Sequence, residues 1–249
     1  KPFKEWPGIE YERFPLPSDA QRPSEWTRAR LRYPDITGYP RASIYGQFPG
    51  YWTMDYPRSD RHLLTGVRRL TRIDTRSVEQ VIEMDGSDEM YNWPVSYGVE
   101  VGHWVLPVDQ AKQLREYLLR GGFLMVDDFH GGAEWSIFME SMQKVFPDRP
   151  VVDIPNEDSI FHTIYDLNDR FQVPGAQYLR SGRTWERTDG VEPHWRGIYD
   201  ERGRLIVAMN FNMDMGDSWE HADDPWYPAD MTGQAYRLGI NYLMYSMTH

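Results

Sequence analysis

The sequence predicts an α/β domain with an open, mostly parallel β-sheet, helices on both of its faces and an antiparallel extension. Within residues 107–126, a helical pattern, a glycine pair and a short apolar run follow one another, which is half of a βαβ unit. Residues 198–209 instead contain two extended runs around a turn, which is typical of an antiparallel hairpin. The length of 249 residues suits one large domain of this class.

An extended arm is predicted at the N-terminus, and residues 26–249 are predicted to form a single domain. Residues 1–25 contain five prolines and no sustained periodicity, so neither a helix nor a strand is expected there. The aromatic residues Trp6 and Phe14 favour an arm that packs against the domain. A disordered leader is the alternative.

Alternating and apolar patterns predict three strands and one helix in the first part of the domain. The helix is expected over residues 62–70, where Leu63, Val67 and Leu70 share one face. The strands are expected at residues 26–33, 77–84 and 95–101.

The segment that follows has the clearest pattern in the chain. Pro107 suits a first helical turn, Asp109 complements the helix dipole there, and Gly121-Gly122 ends the helix. The apolar run at residues 123–126 is typical of a strand that is buried on both faces. The remaining predicted elements are a helix at 133–145, a parallel strand at 151–154, the hairpin at 198–209, a loop at 212–230 and an amphipathic helix at 232–247.

Three polar residues, Asp127, Asp128 and His130, directly follow the predicted buried strand. Because ligands bind beyond the carboxyl ends of the strands in open α/β sheets, this position is the predicted functional site. Aspartate and histidine side chains there could bind a divalent metal or act as catalytic acid and base. Adjacent carboxylates point to opposite sides of a strand, so one is expected to face the pocket and the other to cap the following helix. Under the alternative interpretation, Asp128 caps that helix, His130 bonds to a loop carbonyl, and the site is structural.

Residues that end the preceding strand are further candidates for this pocket. Glu100 and His103 would lie near Asp127 if the two strands were parallel neighbours. Trp104 would then form a wall of the same cleft. A solvated edge position is the alternative for Glu100.

The acidic segment 210–221 is expected to approach the pocket from the opposite side. Its spacing resembles the start of a calcium loop, but glycine is seventh rather than sixth and the twelfth residue is His221 rather than Glu. A helix–loop–helix calcium site is therefore not expected. The candidate binding residues of the segment are Asp214, Asp217, Glu220 and His221. Turn formation and helix capping are their alternative roles.

A divalent metal is the one cofactor that the sequence suggests. Its candidate ligands are Asp128, His130 and Asp214, since carboxylate oxygens and imidazole nitrogens are common metal ligands.

Composition excludes several classes of function. The formal net charge of −11 argues against nucleic acid and anionic membrane as partners, because both need a basic patch. The absence of cysteine excludes disulfides, thiolate catalysis and sulfur-ligated metals. No apolar run approaches the roughly 20 residues that span a bilayer, so no transmembrane segment is predicted.

Six segments of the chain are distinctive in combination: WTRARLRYP, YGVEVGHW, LREYLLRGGFLMVDDFHG, FPDRPVVDI, GDSWEHADDPWYP and LGINYLMYSMTH. In them the chain resembles a bacterial family, the domain of unknown function 4159, from about residue 26 to residue 249. The resemblance implies a flavodoxin-like, class I glutamine-amidotransferase-like three-layer sandwich. It also implies export to the periplasm or the extracellular space, with which a start at Lys1 rather than Met agrees.

The resemblance limits the functions that are expected. The related amidotransferases use a cysteine nucleophile at a strand-to-helix turn, and this chain has no cysteine with which to perform that reaction. Similarity to trehalose-utilisation-like proteins of the same fold implies a carbohydrate ligand by analogy.

The function predicted first is that of an exported, non-catalytic binding or structural subunit of a cell-envelope assembly. Its arm and the tryptophan-rich loop 219–227 would dock onto a protein partner, because aromatic residues are enriched at interfaces. The alternative is a carboxylate- or metal-dependent hydrolase that acts on a glycan-like substrate.

Overall fold

The computed structural model describes residues 2–11, 14–37, 41–43 and 46–249. Its strands, in chain order, are β1 (Ala29–Arg32), β2 (Arg41–Ser43), β3 (Gly46–Phe48), β4 (Gln80–Glu83), β5 (Val95–Val99), β6 (Phe123–Asp127), β7 (Val152–Asp153), β8 (His194–Tyr199) and β9 (Leu205–Phe211). Seven of them form one sheet, while β2 and β3 form a separate antiparallel ribbon.

Six α-helices are present in the described ranges. They are α1 (Arg58–Leu70), α2 (Val108–Leu119), α3 (Gly131–Val145), α4 (Tyr178–Ser181), α5 (Met215–Glu220) and α6 (Ala229–Thr248). Short 3-10 turns occur at Tyr51–Thr53, Asp88–Asn92, Val101–His103 and Ser159–Phe161. Within these ranges, no helix combines the length and apolarity needed to cross a membrane.

The sheet has the strand order β4-β1-β5-β6-β9-β8-β7, and its first five strands are parallel. If the five parallel strands β1, β4, β5, β6 and β9 are renumbered 1 to 5 in chain order, their order in the sheet is 2-1-3-4-5. This is the strand order of flavodoxin-like sheets. β8 then pairs antiparallel with β9, and β7 pairs antiparallel with β8. The predicted α/β class, with a mostly parallel sheet and an antiparallel extension, is confirmed.

Helices cover both faces of the sheet, so the molecule has three layers. α2 and α3 pack against the face that carries Leu124 and Val126. α1, α5 and α6 pack against the opposite face, which carries Phe123 and Met125. Because side chains alternate along β6, Asp127 lies on the same side as Met125, toward α5.

Two segments differ from their predictions. The run at 151–154 predicts a parallel strand, but β7 is antiparallel to β8. That prediction is wrong because β7 is a two-residue, exposed strand at the sheet edge, and its ladder partner comes from the later hairpin. The predicted loop at 212–230 contains α5, whose apolar residues Met215 and Trp219 are buried at helical spacing among acidic neighbours.

The described part of the arm lies along the domain. Phe3 is buried, and Gln21 exchanges two hydrogen bonds with its backbone. Trp6 packs edge-on against Trp52, with 5.9 Å between the ring centroids. The chain that follows is thereby held beside the carboxyl ends of the parallel strands.

Candidate functional site

An acidic cleft of about 520 Å³ lies at the carboxyl ends of the parallel strands. Eight carboxylate side chains line it: Glu10, Asp55, Glu100, Asp128, Glu186, Asp214, Asp217 and Glu220. The basic side chains among its described lining residues are Arg180 and His221. The cleft therefore has a strong excess of potential negative charge.

Three neighbouring strands deliver three of these carboxylates to one edge of the sheet. Glu100 follows β5, Asp128 follows β6, and Asp214 comes shortly after β9. β6 pairs in parallel register with β5 on one side and β9 on the other, so the ends of all three strands lie together. Glu100, Asp128 and Asp214 line the same cleft for this reason, whereas the prediction placed Glu100 near Asp127.

The backbone is left-handed at several positions of the cleft. Asp55, Glu100 and Asp128 have φ values of 58°, 52° and 54°. The fourth non-glycine residue with positive φ in the described ranges is Asn212, whose side chain accepts a hydrogen bond from Gly131 next to the cleft. Each such conformation costs about 1–2 kcal/mol, and their concentration in one place is typical of functional sites.

Asp127 and Asp128 have separate roles. One Asp127 carboxylate oxygen accepts the backbone N–H groups of Met215 and Gly216, at 2.7 and 3.2 Å, and so holds the first turn of α5. Asp128 lies in the cleft. One aspartate therefore faces the pocket and the other supports a helix, as the alternation predicts, but the helix is α5 rather than the one that follows β6. Burial raises the pKa of Asp127 to about 6, although the two amides oppose this effect.

His130 is buried beside Asp128. Its Nε2 lies 3.2 Å from Asp128 Oδ1 and 3.8 Å from Glu186 Oε1. Its backbone N–H donates to Glu134, at 2.6 Å. Burial lowers the pKa of His130 to about 4, so the imidazole is neutral at physiological pH. Under the alternative interpretation His130 bonds to a loop carbonyl, but its ring contacts Asp128 instead.

Glu100, His103 and Trp104 do not form one wall. His103 Nδ1 lies 2.9 Å from Glu100 Oε2, and its ring stacks on Tyr51 at 3.8 Å, so it orients the glutamate. Trp104 is fully buried, stacks on Phe138 and donates its indole N–H to the Phe138 carbonyl. The prediction that Trp104 lines the cleft is wrong, because the 3-10 turn after β5 directs the chain back toward α3.

The predicted docking loop at 219–227 is also mostly internal. Trp219 and Tyr227 are buried, and the Tyr227 hydroxyl donates to the Pro174 carbonyl. Trp226 is the exposed aromatic residue of this loop, with 80 % of its surface accessible. The loop therefore forms one side of the cleft and exposes a single aromatic side chain.

Burial raises the pKa values of the clustered acids. Removal from water is the largest cause for Asp55, Asp128 and Asp214, whose pKa values lie well above the ordinary aspartate value, and neighbouring carboxylates add to it. The same causes raise the pKa of Glu220 to about 8 and that of the partly buried Glu186 to about 7. These carboxyl groups therefore keep protons at neutral pH unless a bound cation replaces the protons.

Four groups of side chains in the cleft could each hold a metal ion. The central group is Asp55, Asp128 and Asp214, all buried, which offer oxygens within 4.8 Å of one another. The other groups are Glu10–Asp55–Glu220, Asp128–His130–Glu186 and Asp217–Glu220–His221. The predicted ligands Asp128, His130 and Asp214 are thus divided between two groups that share Asp128.

Sequence reasoning missed Glu10, Asp55 and Glu186. Glu10 lies in the arm, Asp55 beside the turn Tyr51–Thr53, and Glu186 in the irregular segment before β8. No periodic pattern in these segments marks a position as inward-facing. Asp55 is the most informative of them. It is 1 % exposed, and its Oδ2 has no hydrogen-bond partner among the described residues.

Comparison with known proteins assigns the chain to a family. The family model described as "Domain of unknown function (DUF4159)" matches residues 39–247, so the chain belongs to this family. A search of curated proteins gives no match.

Proposed function

We propose, starting from a family description that names no reaction, that the protein binds a divalent cation through Asp55, Asp128 and Asp214. The observation that carries the proposal is the burial of these three carboxylates around one point, with oxygens within 4.8 Å of one another. Three carboxylates this close cannot all ionise away from water unless a positive charge lies among them. His130 does not supply that charge, because its lowered pKa keeps it neutral.

The donor chemistry favours a hard cation. The central group offers oxygen ligands alone, which suit Ca²⁺, Mg²⁺ or Mn²⁺. Binding would displace the protons that the raised pKa values retain, so affinity should increase with pH.

The wider role that we propose is that of an exported binding or structural subunit of a cell-envelope assembly with a protein partner. Support comes from the resemblance described above and from the absence of the cysteine nucleophile that the related amidotransferases use. Cross-linking in the native host, followed by purification, should recover a discrete envelope complex. A protein that purifies as a monodisperse monomer with no cross-linked partner would refute this part of the proposal.

Metal-dependent hydrolysis is the second candidate, because removal from water raises the pKa values of two carboxyl groups in the cleft toward neutrality. Glu186 and Glu220, with pKa values of about 7 and 8, are suited to act as general acid and base beside a bound cation. A glycosidase that uses two carboxylates without metal is less well supported. Oxygens of Asp128 and Asp214 lie within 4.8 Å, which is too close for an inverting enzyme at roughly 6.5–9.5 Å but near the roughly 5 Å of a retaining one. A glycosidase is disfavoured because both side chains are buried.

This second candidate has its own test. Release of p-nitrophenol would be followed from a panel of p-nitrophenyl glycosides and phosphate esters, with and without Mn²⁺ or Ca²⁺. Turnover that requires the metal and is lost in Glu186→Gln would support the hydrolase function. Absence of turnover on every ester and glycoside would refute it.

The test of cation binding is calorimetric titration of EDTA-treated protein with CaCl₂, MgCl₂, MnCl₂ and ZnCl₂. We expect a Kd below about 1 mM for at least one of the oxygen-preferring cations. Asp214→Asn should weaken binding at least tenfold, while its amide oxygen still accepts the Asp217 N–H that begins α5. Asp148→Asn is the matched control, because Asp148 pairs with Arg115 at the surface and is not among the residues that line the cleft. Absence of binding by any of the four metals would refute the proposal.

A further inference from the structure

The N-terminal arm reaches the acidic cleft through two consecutive residues. Glu10 Oε2 accepts the backbone N–H of Asp55 at 2.8 Å. The Tyr11 hydroxyl donates to the Glu220 carboxylate and accepts a hydrogen bond from Arg58 at the start of α1. The arm is therefore connected to both sides of the cleft, at the turn that precedes α1 and at the end of α5.

These contacts place a third carboxylate beside two others. Glu10, Asp55 and Glu220 offer oxygens within 4.8 Å of one another. Asp55 and Glu220 are buried, and Glu10 is exposed at the mouth of the cleft. Three ionised carboxylates at this spacing would repel one another, so they can lie together only if a proton or a cation neutralises part of their charge.

A second observation points to a ligand in this group. Asp55 Oδ2 is buried and has no hydrogen-bond partner among the described residues, although the backbone N–H of Asp55 is bonded to Glu10. An unpartnered carboxylate oxygen is expensive to bury, and a bound cation would satisfy it. Asp55 is also a member of the central group, so it could bridge two cations.

We infer that Glu10, Asp55 and Glu220 form a second cation site, and that a cation bound there fastens the arm across the acidic cleft. The cation would replace the protons that otherwise allow the three carboxyl groups to lie together, and all three would coordinate it. Loading of the cleft and closure of the arm are then coupled, since the arm supplies a ligand only when it is docked. The inference rests on the proposed function because Asp55 serves both sites.

Stoichiometry and arm protection test the inference together. Calorimetry of the full chain with CaCl₂, MgCl₂ and MnCl₂ should give two bound cations for wild type and one for Glu10→Gln. Hydrogen exchange of peptides from residues 2–11 should slow at least tenfold when the cation is added to wild type, and should not change in Glu10→Gln. Glu5→Gln is the matched control, because Glu5 lies in the same arm but faces Arg61 at 3.8 Å. This control should bind two cations and show the protection.

The outcomes separate the inference from the proposed function. Wild type that binds no cation refutes both. Wild type that binds one cation, with Glu10→Gln unchanged, refutes the second site and leaves the central site intact. Two cations in both wild type and Glu10→Gln would also overturn the inference, because the second ion would then lie elsewhere, for example at Asp217–Glu220–His221. Thermal unfolding in EDTA checks that Glu10→Gln is folded.

Discussion

The adjacent residues Asp127 and Asp128 should respond to mutation in opposite ways. Asp127→Ala removes the acceptor of two buried N–H groups at the start of α5, so the variant should be unstable but should retain cation binding. Asp128→Asn removes a charge from the central group, so it should lose cation binding but remain stable. Asparagine also tolerates the left-handed backbone at this position, where φ is 54°.

The size of the Asp127 effect follows from its bonds. An orphaned buried donor costs about 1–3 kcal/mol, and the loss of a helix cap costs about 1 kcal/mol. Part of this is offset, because the buried carboxylate also loses its own desolvation penalty, as its pKa of about 6 indicates. We expect a net loss of about 3 kcal/mol, which corresponds to a decrease in Tm of roughly 6–12 °C for a domain of this size.

Thermal unfolding in EDTA and calorimetric titration with CaCl₂, MgCl₂ and MnCl₂ would be measured on both variants. Asp128→Asn should melt at or slightly above the wild-type temperature in EDTA, because burial raises the pKa of Asp128 and the aspartate must take up a proton on folding, whereas asparagine is already neutral. The variant should bind the cation at least tenfold more weakly. If Asp127→Ala abolishes binding without loss of stability while Asp128→Asn binds normally, this assignment of the two aspartates is wrong.

Three further predictions concern pH and packing. In EDTA the protein should lose stability as the pH rises from 5 to 8. In the folded protein Glu220 has a pKa of about 8, so it keeps a proton that it has released in the unfolded chain, where its pKa is near 4.5. For one such group the free energy of unfolding falls by about 1.4 kcal/mol per pH unit between these two values. A saturating cation should reduce this pH dependence. Arg30→Ala should cost about 3–5 kcal/mol in guanidinium unfolding. It removes one of the two arginines that pair with buried Asp60 at 2.8 Å, Arg28 being the other, and it leaves the carbonyls of Trp52 and Met54 without their donor. Arg22→Ala at an exposed ion pair should cost less than about 1 kcal/mol. Trp104→Ala should cost about 3–5 kcal/mol with unchanged cation affinity, because Trp104 is fully buried in the core, and an altered affinity would mean that it contacts the cleft after all.

The regular elements could be predicted because their signals are local. The helix stop at Gly121-Gly122 and the apolar run of β6 depend on residues that are neighbours in the chain. The position of Asp128 at a strand end followed from them, since open parallel sheets bind ligands at that edge. β7 was misassigned because two residues contain no information about the direction of the strand beside them.

The site itself was only partly predictable, because the residues that complete it come from irregular chain. Glu10 and Asp55 are 45 positions apart and meet through a backbone-to-carboxylate hydrogen bond. Neither lies in a periodic pattern, so no spacing in the sequence indicates that they face one another. The burial of Trp104 in the core likewise depends on the 3-10 turn after β5, which the sequence pattern does not indicate.

By itself, the sequence determined the α/β class, the order of the main helices and strands, the absence of cysteine chemistry and the strand end at which polar residues gather. The tertiary structure alone decided that Asp127 holds a helix while Asp128 joins Asp55 and Asp214, and that the arm adds Glu10 to them. The physical reason is that secondary structure follows from short-range periodicity, whereas a cluster of like charges depends on distances that only packing sets. Repulsion disfavours such a cluster, so local preference does not predict it.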